Sequence, residues 1–234
     1  MSQFWADIAF LHWRVDPEAV APFLPTGARP DLHDGSAWVG LLPFRMRRAG
    51  VGAGPAVPWL GTFWETNVRV YSTDEQGRPG VTFLSLEAQR LAVVLGARVA
   101  FGVPYFWAQM SGEKTSRATM HYRTRRRGWR GSPTSHLDLR VGRPILQPDA
   151  TQVFLSARFG LHTQVAGRGV WVPNTHRPWP LRRAQVTDLR DELVAATGLP
   201  DLPAQRPPDH VMFSAGVRTQ FGMPVLIRSS PPGR

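Results

Sequence analysis

The run Phe-Trp-Glu-Thr-Asn-Val-Arg-Val-Tyr at residues 63–71 constrains this chain most. It is aromatic and β-branched, it alternates, and turn-forming residues bound it, so it predicts a β-strand. Side chains alternate across a strand. Trp64, Thr66, Val68 and Val70 therefore share an apolar face. Phe63, Glu65, Asn67, Arg69 and Tyr71 share the other face, where an acid, an amide and a guanidinium lie between aromatic rings. Neighbours on one face are roughly 6–7 Å apart, so Glu65 and Asn67 are spaced to touch one small ligand. A solvated strand face is the alternative, but aromatic residues at both ends are unusual for a face meant only for water.

Short apolar runs of the same kind recur. Strands are expected over 4–15, 37–44, 81–87, 120–125, 137–141, 161–165, 169–172, 211–214 and 217–221, with residues 105–110 extended or irregular. Val81, Phe83, Ser85 and Glu87 are expected on one face, in a hairpin with 63–71 across a turn at 74–80. Asp16-Pro17-Glu18 is a helix start, and Asp149 is placed to cap a helix from residue 150. Residues 88–101 have helical spacing, and Thr187 or Asp188 is read as the cap of a last helix over 189–197, closed by Gly198. Residues 47–58 form a long loop; Gly50, Gly52 and Gly54 are no phosphate loop, because Pro55 follows and no helix opens there. Many short strands with a few short helices predict an antiparallel, β-rich α+β domain. At 234 residues, with no internal repeat and no linker, one domain is expected.

Cysteine is absent, which excludes disulfides and thiolate chemistry. With no signal segment and no apolar span, a soluble cytoplasmic protein is expected, with no membrane partner. The net charge of +11 raises nucleic-acid binding. Lys114 is the sole lysine, however, and wholesale arginine use reads as coding bias. The basic cluster Arg123, Arg125, Arg126, Arg127 and Arg130 reads as a solvated hairpin, with a polyanion contact as the alternative. None of the seven histidines has the His-x-x-x-His spacing of a metal helix, so no metal site is assigned. His176, before Pro178-Trp179-Pro180, is the best single histidine, and Trp179 is placed to wall a pocket. A Gly-x-Ser-x-Gly elbow and a dinucleotide fingerprint are both missing, and no cofactor is assigned.

The runs Phe10-Leu-His-Trp-Arg-Val, Ala37-Trp-Val-Gly-Leu-Leu-Pro-Phe, Glu65-Thr-Asn-Val-Arg-Val-Tyr, Gly80-Val-Thr-Phe-Leu-Ser-Leu-Glu, Phe101-Gly-Val-Pro-Tyr and His176-Arg-Pro-Trp-Pro-Leu resemble the YqjF-like family of uncharacterised bacterial proteins. That family is similar to the acetoacetate decarboxylase-like superfamily. The resemblance implies a cone- or barrel-like antiparallel sheet around a central pocket, with short helices outside. In the decarboxylases two adjacent lysines follow a Gly-x-Pro turn, and the first forms a Schiff base with a β-keto acid. Here the turn reads Gly102-Val103-Pro104-Tyr105-Phe106, and neither residue after it supplies an amine. Lys114 lies in a polar stretch beyond. The pocket arginine of the family falls near Ala6, its pocket glutamate at Glu65, a second acid at Glu87, and a helix arginine at Arg98.

The implied pocket holds Glu65 and Tyr105 as catalytic candidates, with Asn67, Arg69, Glu87, Arg98 and Trp179 as substrate-binding candidates. Such a set suits proton transfer beside a carbonyl. The expected ligand is a small carbonyl or carboxylate compound, in a lyase, hydratase or isomerase reaction without an imine. Three alternatives stay open at this point: a retained pocket that binds a metabolite without catalysis, internal Glu65–Arg69 and Glu87–Arg98 salt bridges, and an arginine-rich nucleic-acid module. A homo-oligomer is also open.

Overall fold

The computed structural model describes residues 2–50, 61–92, 94, 102–116, 118–128 and 131–227. The described strands are β1 (Ser2–Val15), β2 (Ala28–Pro30), β3 (Ala37–Arg47), β4 (Phe63–Asp74), β5 (Pro79–Ala88), β6 (Tyr105–Ser116), β7 (Thr119–Arg126), β8 (Thr134–Pro144), β9 (Gly160–Val165), β10 (Arg168–His176), β11 (Leu181–Asp191), β12 (His210–Phe221) and β13 (Val225–Leu226). All thirteen join in one hydrogen-bonded sheet.

The pairings close on themselves twice. Strands β12, β1, β3, β4 and β5 lie side by side and are shared by both rings. One ring is completed through β6, β7, β8 and β11. The other returns from β5 through β9 and β10 to β12. The pairs are antiparallel except β5–β6 and β5–β9, which are short and parallel.

Two closed rings sharing strands need two cores, and the shared strands are buried on both faces. Val68 and Val70 of β4 pack in the first ring with Leu11, Leu41, Met120, Tyr122, Leu137 and Leu139. Phe63 and Tyr71, from the opposite face, pack in the second with Ile8, Phe10, Leu42, Phe44 and Trp179. Continuous rather than one-sided burial along β3 and β4 follows.

Helices are short. Asp16 caps α1 (Pro17–Val20) by accepting from the Glu18 backbone N–H at 2.8 Å. Asp149 and Gln152 form a reciprocal capping box on α2 (Ala150–Ser156). Asp201 caps α3 (Leu202–Gln205).

Three expectations are corrected. The helix read over 189–197 does not form: its first three residues end β11, with Leu189 opposite Leu137, and only Ala195–Thr197 forms a 3-10 turn, closed by left-handed Gly198. Pairing with β8 overrides the local cap signal, and Asp191 Oδ2 instead accepts from Val194 N–H just ahead of the 3-10 turn. Residues 211–214 and 217–221 belong to one strand, β12. Residues 105–110, expected to be extended or irregular, are extended and open a strand that runs to Ser116. The face expected of β5 is broken by a bulge: Val68 pairs with Ser85 but Arg69 with Phe83, which skips Leu84. A one-residue slip exchanges the faces of a strand. Phe83 therefore shares the second ring with Arg69, while Ser85 and Glu87 turn into the first. The expected helix over 88–101 begins after β5, and most of it, with Arg98, lies outside the described residues, as does most of the loop over 47–58.

Candidate functional site

Alternation along β4 and closure of the second ring put Glu65, Asn67, Arg69 and Tyr71 on one buried interior row. At its upper end the Gly-Val-Pro turn delivers Tyr105. Gly102 is required there: its φ is +62°, and a Cβ would lie 2.6 Å from the Gln164 carbonyl oxygen. Leu86 N–H donates to Pro104 O at 3.0 Å, docking the turn on β5. Tyr105 lies beside Leu86 in β5, itself beside Asn67. The Tyr105 hydroxyl then reaches Glu65 and donates to its Oε2 at 3.1 Å.

Burial dominates the electrostatics of this pair. Removed from water, the Glu65 carboxyl is pushed up to about 8; the Tyr105 hydrogen bond opposes the rise and the nearby Glu87 charge adds to it. Burial, and then the Glu65 charge, also raise the Tyr105 phenol well above its usual value. At neutral pH the pair is a protonated acid beside a neutral phenol. Asn67 adds a buried Oδ1 that no donor satisfies among the described residues.

Four residues further along, Arg69 donates from Nη2 to the Leu155 carbonyl at 2.9 Å and to the Tyr71 hydroxyl at 3.0 Å. That hydroxyl donates to Leu155 O at 2.8 Å and lies 2.7 Å from His12 Nε2. Burial, followed by the Arg69 charge, holds His12 well below its usual value and hence neutral. Gly40 makes room for its ring, since a Cβ there would sit 3.1 Å from His12 Nε2. Arg69 and Trp179 line one small cavity together with Trp5, Phe83, Arg158 and His176. Glu65, Asn67 and Arg69 thus share one face of β4, with Tyr105 bonded to Glu65; of the candidates, Arg69 and Trp179 line the cavity, and Glu65, Asn67 and Tyr105 lie outside its lining.

Glu87 does not join them. It is paired with Thr66 across the strands, on the opposite face of the sheet. There it accepts from Arg126 Nε at 3.0 Å and also from Arg126 Nη2. The Arg126 guanidinium lies 3.8 Å over the Phe106 ring. Burial pushes Glu87 up to about 7 against the pull of Arg126. The Glu65–Arg69 salt bridge held open above does not form, since the partner of Glu65 is Tyr105; Glu87 is held by Arg126, and Arg98, its other proposed partner, lies outside the described residues.

The arginine cluster is correspondingly not all solvated. Arg123 pairs with Asp138 at 2.9 Å, and Arg126 is spent on Glu87. His136, Asp138 and Asp188 lie close enough to share a cation. Asp138 Oδ1 already accepts from Arg123 and His121, which hold its carboxyl near 2 despite its partial burial.

Sequence reasoning missed Arg126, Arg158, Trp5 and the role of His12. The alternation of β1 places His12 two residues after Phe10 on one face, a signal that was available. Nothing local distinguishes Arg126 from the arginines around it.

Comparison with known proteins bears on the family and the fold. Residues 2–218 match the family model DUF2071, described as an uncharacterised conserved protein. The uncharacterised protein YqjF of Bacillus subtilis (strain 168) is 31% identical over 200 residues, covering 85% of this chain and 82% of YqjF. Among solved structures, an acetoacetate decarboxylase-like enzyme from Sphingomonas wittichii RW1 superposes with a TM-score of 0.63 at 17% identity, over 97% of this chain and 92% of that one. The enduracididine biosynthesis enzyme MppR, solved with pyruvate, gives a TM-score of 0.60 at 17% identity, over 97% and 90%. These structural likenesses establish the fold, and the sequence match establishes descent: the chain belongs to the DUF2071, or YqjF-like, family, built on the acetoacetate decarboxylase-like fold.

Proposed function

We propose that this protein binds a small oxo acid or related carbonyl compound inside the second ring and moves a proton beside its carbonyl without forming an imine. The observation that carries the reading is the Glu65–Tyr105 pair, a buried carboxyl at about 8 in hydrogen-bond contact with a phenol. A group that titrates near the working pH is suited both to give and to take a proton. With its proton on, Glu65 donates to the carbonyl oxygen or to the enol carbon; with it off, the same oxygen accepts the proton adjacent to the carbonyl. Tyr105, un-ionised, steadies the oxygen on which charge develops. The unsatisfied Asn67 Oδ1 supplies an acceptor for a hydroxyl, hydrate or amide on the ligand. That MppR has been solved with pyruvate on the same fold supports an oxo acid as the ligand class. Isomerase, hydratase or lyase outcomes all begin with this step.

The test is hydrogen–deuterium exchange at the methyl group of pyruvate and the methylene of 2-oxobutanoate in D2O, followed by NMR. Exchange above the buffer rate, lost in Glu65→Gln and reduced in Tyr105→Phe, is expected. No exchange with either compound, despite saturable binding, would replace this reading by that of a non-catalytic metabolite-binding protein.

A further inference from the structure

Two buried arginines and two tryptophans meet at the cavity that Arg69 of β4 lines. Arg69 is 6% exposed and Arg158 7%. Arg158 has an acid partner in Asp31. Arg69 has none: among the described residues no carboxylate stands within ion-pair distance, and its Nη2 is bonded only to neutral groups, a carbonyl and a phenol. A buried charge without a counter-charge costs several kcal/mol, so one is expected to arrive with something else. The unused hydrogen-bonding groups show its sign. Arg69 Nε, Arg158 Nη2, Trp5 Nε1 and Trp179 Nε1 are all buried without an acceptor among the described residues, and all four residues line the same cavity. Every one of these atoms is a donor and none can accept. Buried donors in native proteins find partners in the great majority of cases, so four left over at one place mark the seat of an acceptor-rich, negatively charged group.

We infer that this recess binds the carboxylate of a small organic acid, with Arg69 supplying the counter-charge and Arg158, Trp5 and Trp179 the remaining hydrogen bonds. The cavity of about 20 Å³ exceeds the ~10–15 Å³ needed for one water. It suits the oxygen end of a planar carboxylate and is small for a tetrahedral phosphate. Trp179 is held there on three sides, edge-on to Phe10 at 5.2 Å, stacked on Trp5 at 6.1 Å and against His176 at 5.4 Å. Its indole N–H is therefore fixed before the ligand arrives. This assignment rests on the reading that the second ring is the ligand chamber, and it does not depend on Glu65 chemistry. Arg69 lies four residues from Glu65 on the same face of β4.

Titration calorimetry in chloride-free buffer with pyruvate, its neutral amide pyruvamide, inorganic phosphate and chloride tests the assignment. Pyruvate should bind saturably, and pyruvamide and phosphate at least tenfold more weakly. Arg69→Gln should weaken pyruvate at least tenfold. Trp179→Phe, which keeps the ring and removes only the donor, should weaken it several-fold with the circular dichroism spectrum unchanged. Equal affinity for pyruvamide, indifference to both substitutions in folded protein, or a site saturated by chloride that no carboxylate enters would each overturn it. Carboxylate binding that depends on Arg69 without any deuterium exchange retires the proton-transfer reading alone. Exchange with binding indifferent to Arg69 and Trp179 retires this one alone.

Discussion

The Tyr105 hydroxyl on β6 donates to Glu65 Oε2 on β4 at 3.1 Å, passing over β5, the strand between them. The bond favours the ionised carboxylate, whereas the Glu87 charge on the other face of the sheet disfavours it. Removing each therefore moves Glu65 in opposite directions. Tyr105→Phe should shift its titration above the present value of about 8, and Glu87→Gln should shift it below. Carboxyl-labelled glutamate followed by NMR across pH 5–10 reads both. Shifts of the same sign would show that Glu65 responds to packing rather than to these two neighbours.

Stability carries the same signature. Glu65 titrates at about 8 in the fold against 4.5 as its ordinary value. Between those pH values the folded chain holds a proton that the unfolded chain has released. Stability then falls as pH rises, by about 1.4 kcal/mol per pH unit for each such group. Glu87, raised to about 7, and Asp191, raised to about 6, act in the same direction over narrower windows. Urea unfolding of the wild type should therefore lose stability steadily from pH 5 to pH 8. Glu65→Gln, which has no proton to lose, should flatten that slope and be the more stable protein at pH 8. A slope unchanged by the substitution would mean that Glu65 is ionised and solvated in the folded state.

The legible part of the site was the part written within single strands. Alternation in β4 alone places Glu65, Asn67 and Arg69 on one row, while Tyr105 was placed beside it only by the family resemblance of the Gly-x-Pro turn. Glu87 went to the wrong face because a bulge at Leu84 leaves no trace in a run as regular as Val-Thr-Phe-Leu-Ser-Leu-Glu. The helix read over 189–197 failed for a related reason. A cap residue is a local preference worth about 1 kcal/mol, and it lost to the pairing of β11 with β8. Arg158 and Trp5 were invisible because they lie far apart in the chain and line one cavity only through ring closure. That two rings share β4, burying both of its faces, is likewise a property of strand order and not of any one segment.

Arg126 and Glu87 offer a sharp test of the first ring. Glu87 is wholly buried, and Arg126 is its ionic partner among the described residues. Arg126→Met should leave a carboxyl with no cation and cost about 3–5 kcal/mol. The loss should be larger at pH 8 than at pH 5, where Glu87 takes up a proton. Adding Glu87→Gln to that variant should restore most of the stability, since it removes the buried charge that made the first substitution costly. Equal losses in the single and double variants would mean that Arg126 matters for packing on Phe106 and not for its charge.

The last prediction concerns the missing amine. On this fold the Schiff-base enzymes resembled here place a lysine after the Gly-x-Pro turn, and this chain places Tyr105 and Phe106 there. Its sole lysine, Lys114, lies in β6 opposite Met120, exposed to solvent. A nucleophilic lysine needs a desolvated site or a cationic neighbour that frees its lone pair, and an exposed position on a strand offers no desolvation. Acetoacetate followed by borohydride should leave no adduct on Lys114, and acetoacetate should not be decarboxylated above the buffer rate. Lys114→Ala should leave pyruvate binding and any deuterium exchange unchanged. An adduct found on Lys114 by mass spectrometry, together with activity lost in Lys114→Ala, would move the chemistry from the Glu65–Tyr105 pair to an imine.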